Sequence, residues 1–139
     1  MLSAWEHLQG RFVVSLADLF RNEPDIVFFA AGELILSAGD SGDAMYVVLD
    51  GSVDIRVGET SLEVARSGDV VGEMALVDQN TRSASVIALT PARLARIDRR
   101  RFLYLIQNTP TFAIDVMTVM ASRIRRFDAA IERERSQIS

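Results

Sequence analysis

The spacing of the apolar residues changes twice along the chain and divides it into three zones. In the first zone, apolar residues from Phe12 to Phe20 recur at helical spacing, which predicts a helical lead-in that Pro24 closes. In the second zone, short apolar runs lie between glycine turns, a pattern that predicts β-strands. In the third zone the helical spacing returns. The predicted organisation is one domain with a helical lead-in at residues 1–26, a β-roll at residues 27–97 and C-terminal helices at residues 98–139.

The second zone carries regularly spaced turn signals, a rhythm typical of an antiparallel sandwich or barrel. The predicted fold class is mainly β with flanking helices: an antiparallel β-roll, jelly-roll-like, of the double-stranded β-helix kind. Asp50 and Gly51 tolerate the positive φ of a two-residue type I′ turn, so a tight hairpin is predicted between residues 44–49 and 52–57. The segment Gly72–Val77 instead favours a short helix because of its Glu-Met-Ala-Leu core.

The third zone predicts two helices. Asp98 is a candidate N-cap for a helix through Gln107, and Pro110 opens a second, longer helix. Apolar residues of this last helix follow a heptad spacing in which Glu134 fills the one skipped place. The pattern predicts either that only the first half of the helix packs on the roll or that two chains form a homodimer through it. The seam residues are Ala113, Met117, Met120, Ile124, Phe127, Ile131 and Ile138.

Composition narrows the chemistry that the chain can perform. Its 139 residues include no cysteine and a single histidine, His7, so the usual thiolate and imidazole metal sites are excluded. We therefore expect no metal and no other cofactor. The N-terminus lacks the features of a secretion signal, and no run approaches the roughly 18 apolar residues of a membrane span. These features predict a soluble cytoplasmic protein without a membrane segment.

The net charge of −4 conceals an uneven distribution. Residues 1–90 carry 14 acidic and 5 basic side chains, residues 91–139 carry 5 acidic and 10 basic ones, and every basic residue is arginine. The arginines cluster at 99–101 and at 123–126, where they are more typical of solvated helix faces and helix ends than of contacts with a nucleic-acid backbone. We expect no nucleic-acid partner.

The strongest candidate chemistry lies in two short segments, G-E-M-A-L at residues 72–76 and R-S-A-S-V at residues 82–86. Gly72 allows the backbone to approach a ligand closely, and the helical turn after it offers free N–H groups. Arg82 presents a planar fork that binds phosphate oxygens, and Glu73 accepts a hydrogen bond from a sugar hydroxyl. Each residue alone has an ordinary structural explanation. Together they predict a cradle for a phosphate ester with a ribose anchor.

These segments, separated by five residues, resemble the phosphate-binding cassette of the cyclic nucleotide-binding domain family. The resemblance extends over about residues 12–135 and includes the lead-in, the A-G-D and D-G-S turns and the two closing helices. It implies that the short helix binds phosphate, that Glu73 binds the ribose 2′-hydroxyl and that Arg82 binds the exocyclic phosphate oxygens. The hydroxyl of Ser83 reaches either the phosphate or a guanine amino group.

The remaining ligand-binding residues that the resemblance implies surround these three. They are Ile55, Leu62 and Val71 as an apolar wall, Gly72, Met74, Ala75 and Ala84 in the cassette, and Arg123 and Phe127 as candidates for capping the base from the last helix. The resemblance further implies a non-enzymatic regulatory sensor of cAMP, with cGMP as the alternative ligand. Such a sensor relays binding by moving its C-terminal helices.

Family members that act as transcription factors continue into a winged helix-turn-helix, and no such segment follows the last helix here. We therefore expect a sensor domain that stands alone or was cut from a longer transcription factor or channel, with an effector that the sequence does not name. The alternative is a degenerate member that binds no ligand and serves as a dimerisation scaffold. The presence of Glu73 and Arg82 argues against it.

Two other classes of protein fit the sequence motifs less well. Residues 39–43 superficially resemble a protease nucleophile segment, but His7 stands in no motif. A cupin metal site would require histidines that the chain lacks.

Overall fold

The structure, a computed structural model, describes residues 17, 20–78, 82 and 84–138, with the backbone alone at 75, 77, 78 and 138. Of the predicted lead-in, residues 1–16, 18 and 19 lie outside this description, and Ala17 and Phe20 are buried in the core. The described elements are β1 Ile26–Phe29, β2 Leu34–Leu36, β3 Ala44–Asp50, β4 Ser52–Val57, β5 Thr60–Arg66, β6 Val70–Val71, α1 Glu73–Asp78, β7 Ser85–Ala88, β8 Ala92–Asp98, α2 Arg99–Asn108 and α3 Pro110–Ile138.

The strands form two four-stranded antiparallel sheets, which confirms the predicted β-roll. The strand order is β1-β8-β3-β6 in the first sheet and β2-β7-β4-β5 in the second. Strand β3 is an almost continuous apolar run because both of its faces are covered. Met45, Val47 and Leu49 belong to the core beneath the helices, whereas Val48 belongs to the core between the two sheets.

The tight hairpin predicted at Asp50-Gly51 is wrong. Strand β3 pairs with β6 and β8, and strand β4 pairs with β5 and β7, so the chain changes sheet at Gly51. An Asp-Gly pair indicates a tight turn, but it does not determine which strands pair on either side. Gly51 has a φ of 88°, and a Cβ atom there would lie 2.3 Å from the Pro91 carbonyl oxygen. The two-residue hairpin lies instead at Gly58-Glu59, between β4 and β5.

Helix α2 begins where the sequence predicts. The Asp98 side chain accepts a hydrogen bond of 2.8 Å from the backbone N–H of Arg101, which satisfies a free donor of the first turn and confirms the N-cap. Phe102 of this helix packs edge-on against Phe112 of α3. Both rings join the core beneath the first sheet, so the two helices close one side of the roll.

The seam predicted along α3 is one stripe of the helix that the roll covers only in part, and the homodimer through it stays a prediction. Met120 and Phe127 pack against the roll, but Met117, Ile124 and Ile131 are exposed, Met117 by 58%. The heptad residues share one stripe, which borders the fully buried face, so the roll covers one edge of the stripe and leaves the other exposed. The fully buried face carries other residues: Phe112, Val116, Arg123 and Ala130.

Candidate ligand-binding site

A cleft lies between the second sheet and the helices α1 and α3. Strands β2, β4 and β7 form its apolar floor, and its space is about 380 Å³, including the part that opens to solvent. The cleft is lined by Leu36, Ile55, Gly72, Glu73, Met74, Arg82, Ala84, Val86, Arg123 and Phe127.

Arg82 places a buried positive charge in this cleft. The side chain is 7% exposed, and its Nη1 and Nη2 each donate a hydrogen bond of 2.8 Å, to the carbonyl oxygens of Gly72 and Ala44. Both partners are neutral, and no carboxylate among the described residues lies within 4.0 Å of the guanidinium. Burial lowers the pKa of Arg82, but an arginine remains protonated in proteins. Among the described residues the cation therefore has no adjacent anion, an expensive arrangement that a bound anion would relieve.

Two glycines make room for the Arg82 guanidinium. A Cβ atom at Gly42 would lie 2.3 Å from the Arg82 Cζ, and one at Gly72 would lie 2.6 Å from Nη1. Gly72 also has a φ of 78°, which favours glycine on backbone grounds. The Arg82 backbone is held in turn by Gly39, whose N–H donates to it, and by Asp40, whose carbonyl accepts from it. The glycine-containing segment before β3 thus fixes Arg82 in place.

Glu73 and Arg123 form a buried ion pair beside the cation. Glu73, the first residue of α1, is 1% exposed, and Arg123 of α3 is 4% exposed. The Arg123 Nη1 lies 2.7 Å from both carboxylate oxygens of Glu73, while its Nε donates to Glu63 Oε1 at 2.8 Å. Burial opposes the charge of Arg123, but the two carboxylates outweigh it and raise the pKa of this guanidinium. The pair fastens α3 to both α1 and β5.

This ion pair determines what the cleft is able to bind. A free carboxylate would repel an anionic ligand, but Arg123 offsets the charge of Glu73. Each Glu73 oxygen accepts once from Arg123 and has more than one lone pair, so it can also accept from a hydroxyl group. The cleft therefore combines a cation for an anionic group, an acceptor for a hydroxyl and an apolar floor for a flat ring.

Most of the sequence-predicted ligand residues line this cleft. Val71 is instead buried in the core between the sheets, and Leu62 packs against that core, so neither side chain lines the cleft. Ser83 and the side chain of Ala75 lie outside the described residues. Arg123 is buried, so its assignment to a solvated basic cluster is wrong. The predicted residues that do line the cleft are Ile55, Gly72, Glu73, Met74, Arg82, Ala84, Arg123 and Phe127.

Sequence reasoning missed Leu36, Val86 and Glu63. Val86 could have been predicted from Ala84, because residues two positions apart on a strand face the same side of the sheet. Leu36 precedes Val86 by 50 residues, and only the pairing of β2 with β7 brings the two side by side. Glu63 meets Arg123 across 60 residues of sequence, and no local pattern signals such a contact.

Two other features are absent from the described residues: a metal-binding cluster and a membrane-spanning helix. Within residues 17, 20–78, 82 and 84–138, no group of three or more histidine, cysteine, aspartate or glutamate side chains is placed to hold a metal ion. In that same part of the chain, no helix is both long and apolar enough to cross a membrane.

Similarity to known proteins assigns this cleft to a family. Residues 26–109, more than half of the chain, match the sequence model of the cyclic nucleotide-binding domain. The chain belongs to the cyclic nucleotide-binding domain family. The matched region contains the whole roll, the cassette with Glu73 and Arg82, and helix α2.

Individual relatives agree with this assignment. The Cyclic AMP receptor protein of Thermus thermophilus is 32% identical over 109 residues, which are 75% of this chain and 50% of that protein. The cAMP-dependent protein kinase regulatory subunit of Aspergillus niger is 36% identical over 80 residues, 56% of this chain and 20% of that protein. The crystal structure of the Thermus thermophilus Catabolite Activator Protein superposes with a TM-score of 0.70 at 28% identity, covering 90% of this chain and 61% of that one. The chain thus spans half or less of the length of the two relatives.

Proposed function

We propose that the chain binds a cyclic nucleotide in this cleft and acts as a regulatory sensor module, not as an enzyme. The observation that carries the proposal is Arg82, a buried cation whose hydrogen-bond partners among the described residues are neutral carbonyl groups. A cyclic phosphodiester brings one negative charge and two exocyclic oxygens, which match the planar guanidinium fork. Membership of the cyclic nucleotide-binding domain family supports the same ligand.

In the proposed complex, each part of the ligand faces a different group of the cleft. The remaining N–H groups of Arg82 donate to the exocyclic phosphate oxygens. The carboxylate of Glu73, already neutralised by Arg123, accepts from the ribose 2′-hydroxyl. Phe127 and the apolar floor contact the base, because an aromatic ring and a flat base stack favourably.

We propose cAMP as the preferred nucleotide and cGMP as the second candidate. The support for this order is the names of the two relatives, a Cyclic AMP receptor protein and a cAMP-dependent protein kinase regulatory subunit. Ser83, which the family resemblance links to the phosphate or to a guanine amino group, lies outside the described residues. The base preference therefore needs a direct measurement.

We also propose that α3 relays binding and forms a homodimer. Arg123 and Phe127 belong to both the cleft and α3, so a ligand that contacts them favours the docked position of the helix. Beside the buried face of α3, Met117, Ile124 and Ile131 are exposed at heptad spacing, which suits the same surface of a second copy. The effector that reads this movement is unidentified, and a cytoplasmic location stays a prediction.

Titration calorimetry of the chain with cAMP and with cGMP, side by side, tests the proposed function. We expect saturable one-to-one binding of cAMP and weaker binding of cGMP. Equilibrium dialysis with labelled nucleotide checks any titration that gives no heat. Failure of both nucleotides to bind in both methods would reject the sensor function and favour a ligand-free scaffold.

A further inference from the structure

The far end of α3 contacts the roll a second time, away from the cleft. Glu134 extends its carboxylate to the β4–β5 hairpin, where Oε1 accepts hydrogen bonds from the backbone N–H of Glu59 at 3.0 Å and from the hydroxyl of Thr60 at 2.7 Å. Glu134 and Thr60 are both half-buried. These contacts join residues more than seventy positions apart, so they hold the helix on the roll instead of stabilising the helix alone.

The hairpin has the shape that this carboxylate requires. Val57 pairs with Thr60, which leaves Gly58 and Glu59 as a two-residue turn. Gly58 has a φ of 59°, and a Cβ atom there would lie 2.8 Å from the Glu134 Cδ. Glycine at this position therefore serves the turn and also leaves the space that the carboxylate occupies. The exposed turn N–H of Glu59 gains a charged acceptor, which makes a stronger hydrogen bond than a neutral one.

Residues 123–134 of α3 form one segment that connects the cleft to these contacts. Polar contacts hold this segment on the roll at both of its ends. Arg123 holds its first end on Glu73 and Glu63, and Glu134 holds its last end on the hairpin. Phe127, between them, lines the cleft, and Ala130 is fully buried against the roll. Residues 123–134, which close the cleft, are thus held by one polar contact inside the site and by another outside it.

We propose that Glu134 is a positioning residue for nucleotide binding, which acts through the docked position of residues 123–134. Glu134 does not line the cleft, so it influences a ligand only through Arg123 and Phe127, the residues of this segment that do. The apparent dissociation constant equals the intrinsic one divided by the fraction of molecules with the segment docked. Loss of the Glu134 contacts lowers that fraction and speeds ligand release. This inference rests on the proposed function.

The test compares variants of the full chain that differ only at this contact. Glu134→Ala removes the acceptor, Glu134→Gln keeps an acceptor oxygen without the charge, and Thr60→Val removes one donor from a residue of similar shape. Glu132→Ala is the control, because it removes an acid from an exposed position of the same helix, where its ion pair with Arg135 lies on the surface. Stopped-flow release of a fluorescent cAMP analogue and hydrogen exchange of the Glu59 amide are the two readouts.

We expect Glu134→Ala to release the analogue about three- to tenfold faster, the range that follows from losing one or two hydrogen bonds. Thr60→Val should release it faster by a smaller factor, Glu134→Gln should restore most of the wild-type rate, and Glu132→Ala should leave the rate unchanged. The Glu59 amide should exchange faster in Glu134→Ala, both as a single variant and in combination with Thr60→Val. Wild-type release from Glu134→Ala would overturn the proposal.

The two proposals fail in different ways. If the wild-type chain binds no nucleotide, the proposed function is rejected, and exchange without ligand still decides whether Glu134 positions the segment. Faster exchange over residues 123–134 in Glu134→Ala, with unchanged exchange in Glu132→Ala, supports that role. Equal exchange in both variants overturns it.

Discussion

The two faces of helix α3 differ in what covers them. The face that packs on the roll begins with the buried ring of Phe112 and continues into the buried guanidinium of Arg123. The neighbouring face, about 100° around the helix, exposes Met117, Ile124 and Ile131. Both faces repeat with helical spacing, so a pattern of apolar residues alone does not separate them.

The buried charges, and not the apolar residues, identify the face that serves the cleft. A buried arginine is costly unless it is paired, and a helix that packed for stability alone would carry an apolar residue at position 123. Arg123 instead meets Glu73, one of the two residues that the cassette motif marked. The exposed face has no such partner in the described chain and is the surface that we propose for a second copy.

Arg123→Ala should have the largest effect, on stability. It leaves the Glu73 carboxylate buried without its cation, which costs about 3–5 kcal/mol. Arg126→Ala is the matched control, because Arg126 also pairs with Glu63 from the same helix but is about half exposed. Its loss should cost less than about 1 kcal/mol. Urea unfolding measures both, and equal midpoints for the two variants would contradict the importance of the buried pair.

Arg82→Ala should have the largest effect on binding. Removing one partner of a desolvated charge pair costs about 2–5 kcal/mol, a loss of roughly 30- to 4,000-fold in affinity. Arg82→Lys should recover little, because a point charge does not reproduce the planar fork. Calorimetry with cAMP measures the affinity, and circular dichroism checks that each variant is folded. Wild-type affinity in a folded Ala variant is the result that would refute the assignment of Arg82.

A 2′-deoxy cyclic nucleotide should bind more weakly than the ribose form. The Glu73 carboxylate then keeps its hydrogen bonds from Arg123 but lacks the hydroxyl that we assign to it, and a hydrogen bond to a charged group is worth about 1.5–3 kcal/mol. The protein is unchanged in this comparison, so stability does not enter. Competition of the two ligands against a fluorescent analogue measures the difference, and equal affinities would remove Glu73 from the ribose contact.

Substitutions on the exposed face should leave the fold and the cleft almost unaffected. Met117→Ser and Ile124→Ser together should change stability of the monomer by less than about 0.5 kcal/mol each and leave cAMP affinity unchanged. They should, however, weaken self-association. Sedimentation velocity over a range of concentrations measures this, and identical association of the variant and the wild type would exclude this face as the dimer seam.

The fold could be predicted from the sequence wherever the signal is local. Asp98 caps α2 because a single side chain and the N–H three residues later determine it. Gly51 failed as a hairpin signal because strand pairing depends on the whole roll: the chain turns tightly there and enters the other sheet. The sequence also does not show which residues of the seam on α3 are covered, since the roll decides this.

The site divides in the same way. Glu73 and Arg82 belong to one short motif, and both line the cleft in the structure. The positions of Leu62 and Val71 depend on which face of each strand turns inward, and the structure places them in or against the core. Glu63 and Glu134 act through contacts across sixty or more residues, which only the folded chain reveals.

Hydrogen exchange of the full chain, with and without cAMP, tests most directly the claim that the buried face of α3 closes the nucleotide site. The measurement is made at a cAMP concentration that calorimetry shows to be saturating. We predict slower exchange over residues 123–134, where Arg123 and Phe127 line the cleft, when cAMP is bound. Unchanged exchange over the whole of α3 in the saturated protein would contradict the claim.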